Sequence, residues 1–230
     1  FWIDSRKFEQ GKEESSLMQT RVALDGTLAG ESEVDPRICE CCQPTVIPFE
    51  GGLLAVYRDR TENEIRDVVV SRFDGKQWSA PKTVHDDKWE VFACPIQGPA
   101  VSASGKNVAV AWFTAAQDKP KVLAALSKDG AQTFGAPVEV DAKDPVGRVD
   151  VVALEDGGAV VTWIARAGNT GEVTAKQIHA DGTSGMPHAV GKTSVGNASG
   201  FPRAERSGKG IVFAWTDTEA NRIRTAVATP

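Results

Sequence analysis

Four apolar runs, each carrying an aromatic residue near its end, recur along this chain at nearly constant spacing. They read GLLAVYRDR, NVAVAWFTA, GAVVTWIAR and GIVFAWTDT, and they set Tyr57, Trp112, Trp163 and Trp215 at intervals of 55, 51 and 52 residues. Trp2 stands 55 residues before Tyr57 and is a fifth member. Asp-Gly pairs keep step at Asp25-Gly26, Asp74-Gly75, Asp129-Gly130 and Asp181-Gly182. A fixed period of this size restricts the chain to arrays in which each unit buries its apolar face against the next.

Each repeat reads as four short strands, clearest in the third: GPAVSAS, NVAVAWF, KVLAALS and APVEVD. Val and Ala fill the strands; Gly, Pro, Asp and Asn bound them. Asp-Gly predicts type I′ hairpin turns, in which both residues take positive φ. No segment shows a sustained helical period. Four strands per unit of about 50 residues is the signature of a β-propeller blade. The expected fold is therefore all-β, a single propeller domain over 1–230. Its repeats fall at roughly 1–35, 36–87, 88–142, 143–193 and 194–230. The first repeat lacks its first strand and the fifth ends before its fourth. The chain thus reads as an N-terminally truncated part of a six-bladed or larger propeller.

With 41% hydrophobic and 25% charged residues the chain has ordinary globular composition. A net charge of −5 argues against nucleic acid as a partner, since phosphate binding wants a basic face. No apolar run approaches the roughly 18 residues of a membrane span.

SKDGAQTF, Ser127 to Phe134, resembles the Asp-box of the sialidase (BNR repeat) superfamily, with Ala131 where the box has glycine. SRFDGKQW, with Asp74 and Trp78, is a degenerate copy. The resemblance implies that Ser127, Asp129 and Phe134 are structural and sit in the turn between a blade's third and fourth strands. That turn is on the side opposite the functional face. It also implies a catalytic set of three arginines clamping a carboxylate, a Tyr nucleophile activated by Glu, and an Asp acid/base. Arginine suits the clamp because its planar fork pairs bidentately with a carboxylate. The single tyrosine, Tyr57, occupies the repeated aromatic slot and is expected to pack, so the set cannot be assembled from this chain.

Sorting loops by blade topology gathers the long ones on one face. They hold Arg37, Arg58, Arg60, Arg66, Asp67, Arg148, Asp150 and Arg203, an arginine-rich funnel suited to a glycan or small anion. Arg203 is the first choice for an anion contact. The same loops hold Cys39, Cys41 and Cys42, together with Cys94 and His85. Cys39 and Cys94 are equivalent positions, each five residues before a proline. Three readings stay open: a disulfide between Cys39 and Cys94 or another pair, a Zn²⁺ or Cu(I) site, and a reactive thiol beside Arg37. The expected function is an exported, non-catalytic propeller binding a glycan, anion or thiophilic metal. The alternatives are a glycoside hydrolase acting on an acidic sugar and a protein-interaction scaffold with structural disulfides.

Overall fold

A computed structural model describes residues 1–12 and 14–229. The regular secondary structure of the described residues is almost entirely β, with one short helix over Arg6–Glu9 and two 3₁₀ turns. They form five antiparallel sheets, three of them four-stranded. The chain divides into two compact units, Phe1–Ile96 and Gln97–Pro230. The division falls two residues past Cys94.

The first unit holds two sheets. One comprises β1 (Trp2–Asp4), β2 (Ser15–Gln19) and β3 (Ser32–Ile38). The other comprises β4 (Thr45–Phe49), β5 (Gly52–Arg58), β6 (Val68–Phe73) and β7 (Lys82–Thr83). Leu17, Ile38, Ala55, Tyr57 and Val69 form the core between them. Strand β3 begins well before the cysteines, so Asp35 and Arg37 lie on a strand rather than in the expected loop.

The second unit holds three sheets. The first has β8 (Ala100–Ser104), β9 (Asn107–Thr114), β10 (Lys121–Ser127) and β11 (Val138–Asp141). Next comes β12 (Gly147–Ala153), β13 (Ala159–Ala167), β14 (Thr170–Ile178) and β15 (His188–Thr193). The last has β16 (Arg203–Ser207), β17 (Gly210–Asp217) and β18 (Arg222–Ala228). The three-stranded first and fifth sheets match the strands missing from the outer repeats. Tyr57, Trp112, Trp163 and Trp215 fall on the second strands of their sheets, and Trp2 on the first strand of its own. Trp112 and Trp163 are no more than 1% exposed, each contributing about 1.5–3 kcal/mol of burial. Close packing also explains Gly191: a Cβ there would stand 2.2 Å from the Trp215 ring.

The Asp-Gly turns differ from type I′. Only the glycines take positive φ, from 75° to 96°. The aspartates instead accept backbone N–H groups with their side chains: Asp129 takes Gln132 and Thr133, and Asp74 takes Lys76 and Gln77. The connections are longer than two residues, so the carboxylate rather than the backbone alone closes each turn. Asp129 lies between the third and fourth strands of its sheet, as expected, and Ser127 Oγ donates to it at 2.8 Å. Ala131 takes φ 62°, the left-handed conformation for which glycine is the usual residue. Trp78 packs against Phe73 and Phe1.

Candidate functional site

The segment after β3 is fixed where Cys39 N–H donates to Arg58 C=O at 2.9 Å. This hydrogen bond ties the cysteine run to the end of β5. Cys39 and Cys42 are buried and lie outside the disulfide, with sulfurs 2.8 Å apart. Cys41 is half-buried and forms a disulfide with the exposed Cys94. Its sulfur is 3.9 Å from that of Cys39. The equivalence of Cys39 and Cys94 suggested that these two would meet. Instead the chain turns sharply after Ile38, and Cys41 is the residue carried outward to the 94 loop. Cys39 and Cys42 also have the C-x-x-C spacing of dithiol motifs, a signal that attention to the crowded run obscures.

Arg66 Nη1 donates to Cys39 Sγ at 3.4 Å. The hydrogen bond with Cys42 lowers the Cys39 thiol to about 6, against the opposing effect of burial; the Cys41 backbone and Arg66 add to the lowering. Arg66, not Arg37, is therefore the cation at the thiol.

The arginines of the first unit have partners within it. Arg66 pairs with Glu64 at 2.8 Å and Glu40 at 3.3 Å. Arg60 pairs with the same two carboxylates. Arg58 is fully buried, donates to Arg66 C=O and lies 4.7 Å from the Trp89 ring centre. Arg37 reaches Glu14 at 3.4 Å. Asp67 accepts the backbone N–H groups of Lys88 and Trp89, and burial raises its pKa despite them. The densest charged segment is thus an internal network that ties the 59–67 loop to the cysteine segment and to the 88–89 stretch. Glu40, between the cysteines, is a member that sequence reasoning missed.

Arg148, Asp150 and Arg203 belong to the second unit. Arg148 is buried and donates to Gly196 C=O, Ser199 Oγ and Asn197 Oδ1, binding the 196–199 turn. Asp150 accepts Ala204 N–H at 2.9 Å, joining β12 to β16. Arg203 is exposed and lies 3.9 Å from Asp150. Tyr57 packs as expected: it is fully buried and its hydroxyl donates to Asp35 at 2.8 Å. Burial raises its pKa strongly, so the phenolate is disfavoured.

As metal ligands, Cys39, Cys41 and Cys42 have sulfurs within 4.8 Å of one another; His85 is outside this group and faces Asp87 at 3.7 Å. Two thiolates on one tetrahedral Zn²⁺ stand about 3.8 Å apart, given Zn–S bonds of about 2.3 Å. The Cys39–Cys41 distance meets this and the Cys39–Cys42 distance does not. The disulfide also withholds Cys41 and Cys94 in this oxidation state. Binding Zn²⁺ or Cu(I) through all four cysteines would require reduction first.

The second unit carries a groove that sequence reasoning missed. It encloses about 650 Å³ between β11 and the sheet of β13, β14 and β15. Trp163 forms part of its wall and donates its indole N–H to Asp141 at 2.7 Å. Lys143, Arg166 and the half-buried Glu172 also line it, with the exposed Met186 as an apolar element. Asp141 and Glu172 come from different sheets, so no motif in the sequence joins them.

No family model and no curated protein matches the chain. Solved structures of the same fold do. A protein of unknown function from Dyadobacter fermentans is 14% identical with a TM-score of 0.63; the match covers 97% of this chain and 72% of that one. A fucose-recognising lectin from Aleuria aurantia, a six-bladed β-propeller, is 10% identical with a TM-score of 0.57, over 93% and 70% of the two chains. A xylan β-1,4-xylosidase from Bacillus halodurans is 9% identical with a TM-score of 0.52, over 82% and 40%. These likenesses support the propeller fold and are not specific to sialidases.

Proposed function

We propose that this chain is a non-catalytic, carbohydrate-binding propeller, with its sugar site in the groove beside Trp163. The groove carries the reading. Its volume of about 650 Å³ lies in the range of ligand sites, and its wall mixes acceptors (Asp141, Glu172), donors (Lys143, Arg166) and apolar surface. A sugar presents hydroxyls that both donate and accept together with apolar ring faces, and it needs that mixture. The fold is shared with a fucose-recognising lectin, which supports the same class of ligand.

The sialidase alternative finds little support, because the single tyrosine is buried and its hydroxyl is held by Asp35. An anion clamp finds little either, since the arginines of the first unit are already paired with carboxylates or carbonyls. The Cys41–Cys94 disulfide favours an oxidising compartment and hence export. A glycan microarray tests the reading. Retention of one related set of glycans is expected, with a loss of about tenfold or more in Glu172→Ala, roughly 1.4 kcal/mol. No retention above background at any glycan, or full retention by Glu172→Ala, removes the groove as the site.

A further inference from the structure

The cysteine cluster holds two electrons more than its fully oxidised form, and it holds them unevenly. The buried pair, Cys39 and Cys42, is a dithiol. The outer pair, Cys41 and Cys94, is a disulfide. Cys39 Sγ is the meeting point, 2.8 Å from Cys42 Sγ and 3.9 Å from Cys41 Sγ. The longer of these is within half an ångström of a near-attack separation of about 3.5 Å. Exposure runs along the same line: Cys39 is 0% exposed and Cys42 1%, Cys41 is half-buried, and Cys94 is exposed. A purely structural staple needs only two of these four sulfurs.

We propose that the four cysteines form an internal thiol–disulfide relay, which moves two electrons between the buried Cys39/Cys42 pair and the exposed Cys41/Cys94 pair, and that Cys94 exchanges with external thiols. The forward step begins with Cys39 as thiolate attacking Cys41 Sγ. A Cys39–Cys41 bond forms, the Cys41–Cys94 bond breaks, and Cys94 leaves as thiolate. Cys42 then attacks Cys39 Sγ, forming a Cys39–Cys42 bond and releasing Cys41. The protons lost by Cys39 and Cys42 end on Cys41 and Cys94 through solvent. One disulfide and two thiols stand on each side, so no outside oxidant is required. The product presents an outer dithiol able to reduce an external disulfide, and the reverse sequence stores electrons taken from an external thiol. Arg66 and the Glu40/Glu64 pair hold the region of Cys39 in place throughout. This activity is independent of the sugar groove, which lies in the other compact unit.

The test uses the full chain, kept free of metal by chelation and of oxygen, at neutral pH. Samples are quenched with acid over time. Free thiols are tagged with one alkylating reagent, and disulfide cysteines are then reduced and tagged with a second. Peptide mass spectrometry reads each position, since Glu40 offers a cleavage site between Cys39 and Cys41. Two populations are expected in the wild type, one with Cys39/Cys42 oxidised and one with Cys41/Cys94 oxidised. In Cys42→Ser, the second step is blocked and a Cys39–Cys41 disulfide with free Cys94 is expected to build up. Quantitative oxidation of Cys41/Cys94 at all times, in both proteins, overturns the relay. Should Cys42→Ser fail to fold, the wild-type populations decide alone. A parallel arm adds glutathione or reduced thioredoxin. Reduction of Cys94 by glutathione assigns a small-thiol source, and reduction by thioredoxin only assigns a protein source. Reduction by neither overturns the external exchange.

Discussion

The sulfurs of Cys39 and Cys42 lie 2.8 Å apart inside the first compact unit, while Cys41, between them in sequence, points outward to Cys94. The four-residue stretch Cys39–Cys42 therefore feeds both a buried dithiol and an exposed disulfide.

The first consequence concerns pH. A thiol ordinarily ionises at about 8.5, and the Cys39 thiol is lowered to about 6, chiefly by its hydrogen bond with Cys42. A group with a depressed pKa adds stability that is complete above its unfolded value and is lost as pH falls through the folded one. Thiolate ultraviolet absorbance of the metal-free protein should titrate with a component near about 6. Cys42→Ala should move that component toward the ordinary thiol range. An unchanged midpoint would show that the hydrogen bond with Cys42 is not what lowers it.

A second expectation follows from the buried phenol. Tyr57→Phe leaves Asp35 without its 2.8 Å donor, although Arg37 N–H remains at 3.0 Å. A loss of about 1–3 kcal/mol is expected from urea unfolding, with glycan retention unchanged. Lost retention with intact stability would return Tyr57 to a ligand-binding role.

Arg148 makes the opposite case from a surface arginine. Its guanidinium, whose pKa burial lowers, holds three groups of the 196–199 turn. Arg148→Met should expose that turn to limited proteolysis and cost about 1–3 kcal/mol. A protected turn would mean that the backbone holds itself.

Packing at Gly191 admits a sharper test. A methyl group there meets the rigid Trp215 ring at 2.2 Å, so Gly191→Ala should destabilise by about 1–3 kcal/mol despite its higher strand propensity. Thermal unfolding checks this, and a neutral result would show that the last two sheets can slide apart without cost.

Metal uptake should follow oxidation state. Equilibrium dialysis of protein purified without reductant should find no tightly held Zn²⁺, because Cys41 and Cys94 are bonded to each other. Reduction should permit uptake, and Cys39→Ser should abolish it. Stoichiometric Zn²⁺ in the unreduced protein would mean that the disulfide does not form in solution.

The repeat of aromatics and Asp-Gly pairs was enough to determine an all-β array, its strand count per sheet and the presence of turns at Asp74 and Asp129, though not their type. Those features arise from local periodicity, since a strand's faces and a turn's carboxylate are specified within a few residues. The fate of the charged loops was decided only in three dimensions. In sequence Arg58 and Arg66 read equally as ligand contacts or as an ion-pair network tying strands together, and burial obliges each to find a carbonyl or carboxylate nearby. The cysteine pairing likewise depended on which sulfur the turn after Ile38 carried outward. Side-chain direction at successive positions, not spacing, settled it. The groove at Asp141 and Glu172 had no sequence signature at all, because its walls come from sheets that meet only after folding.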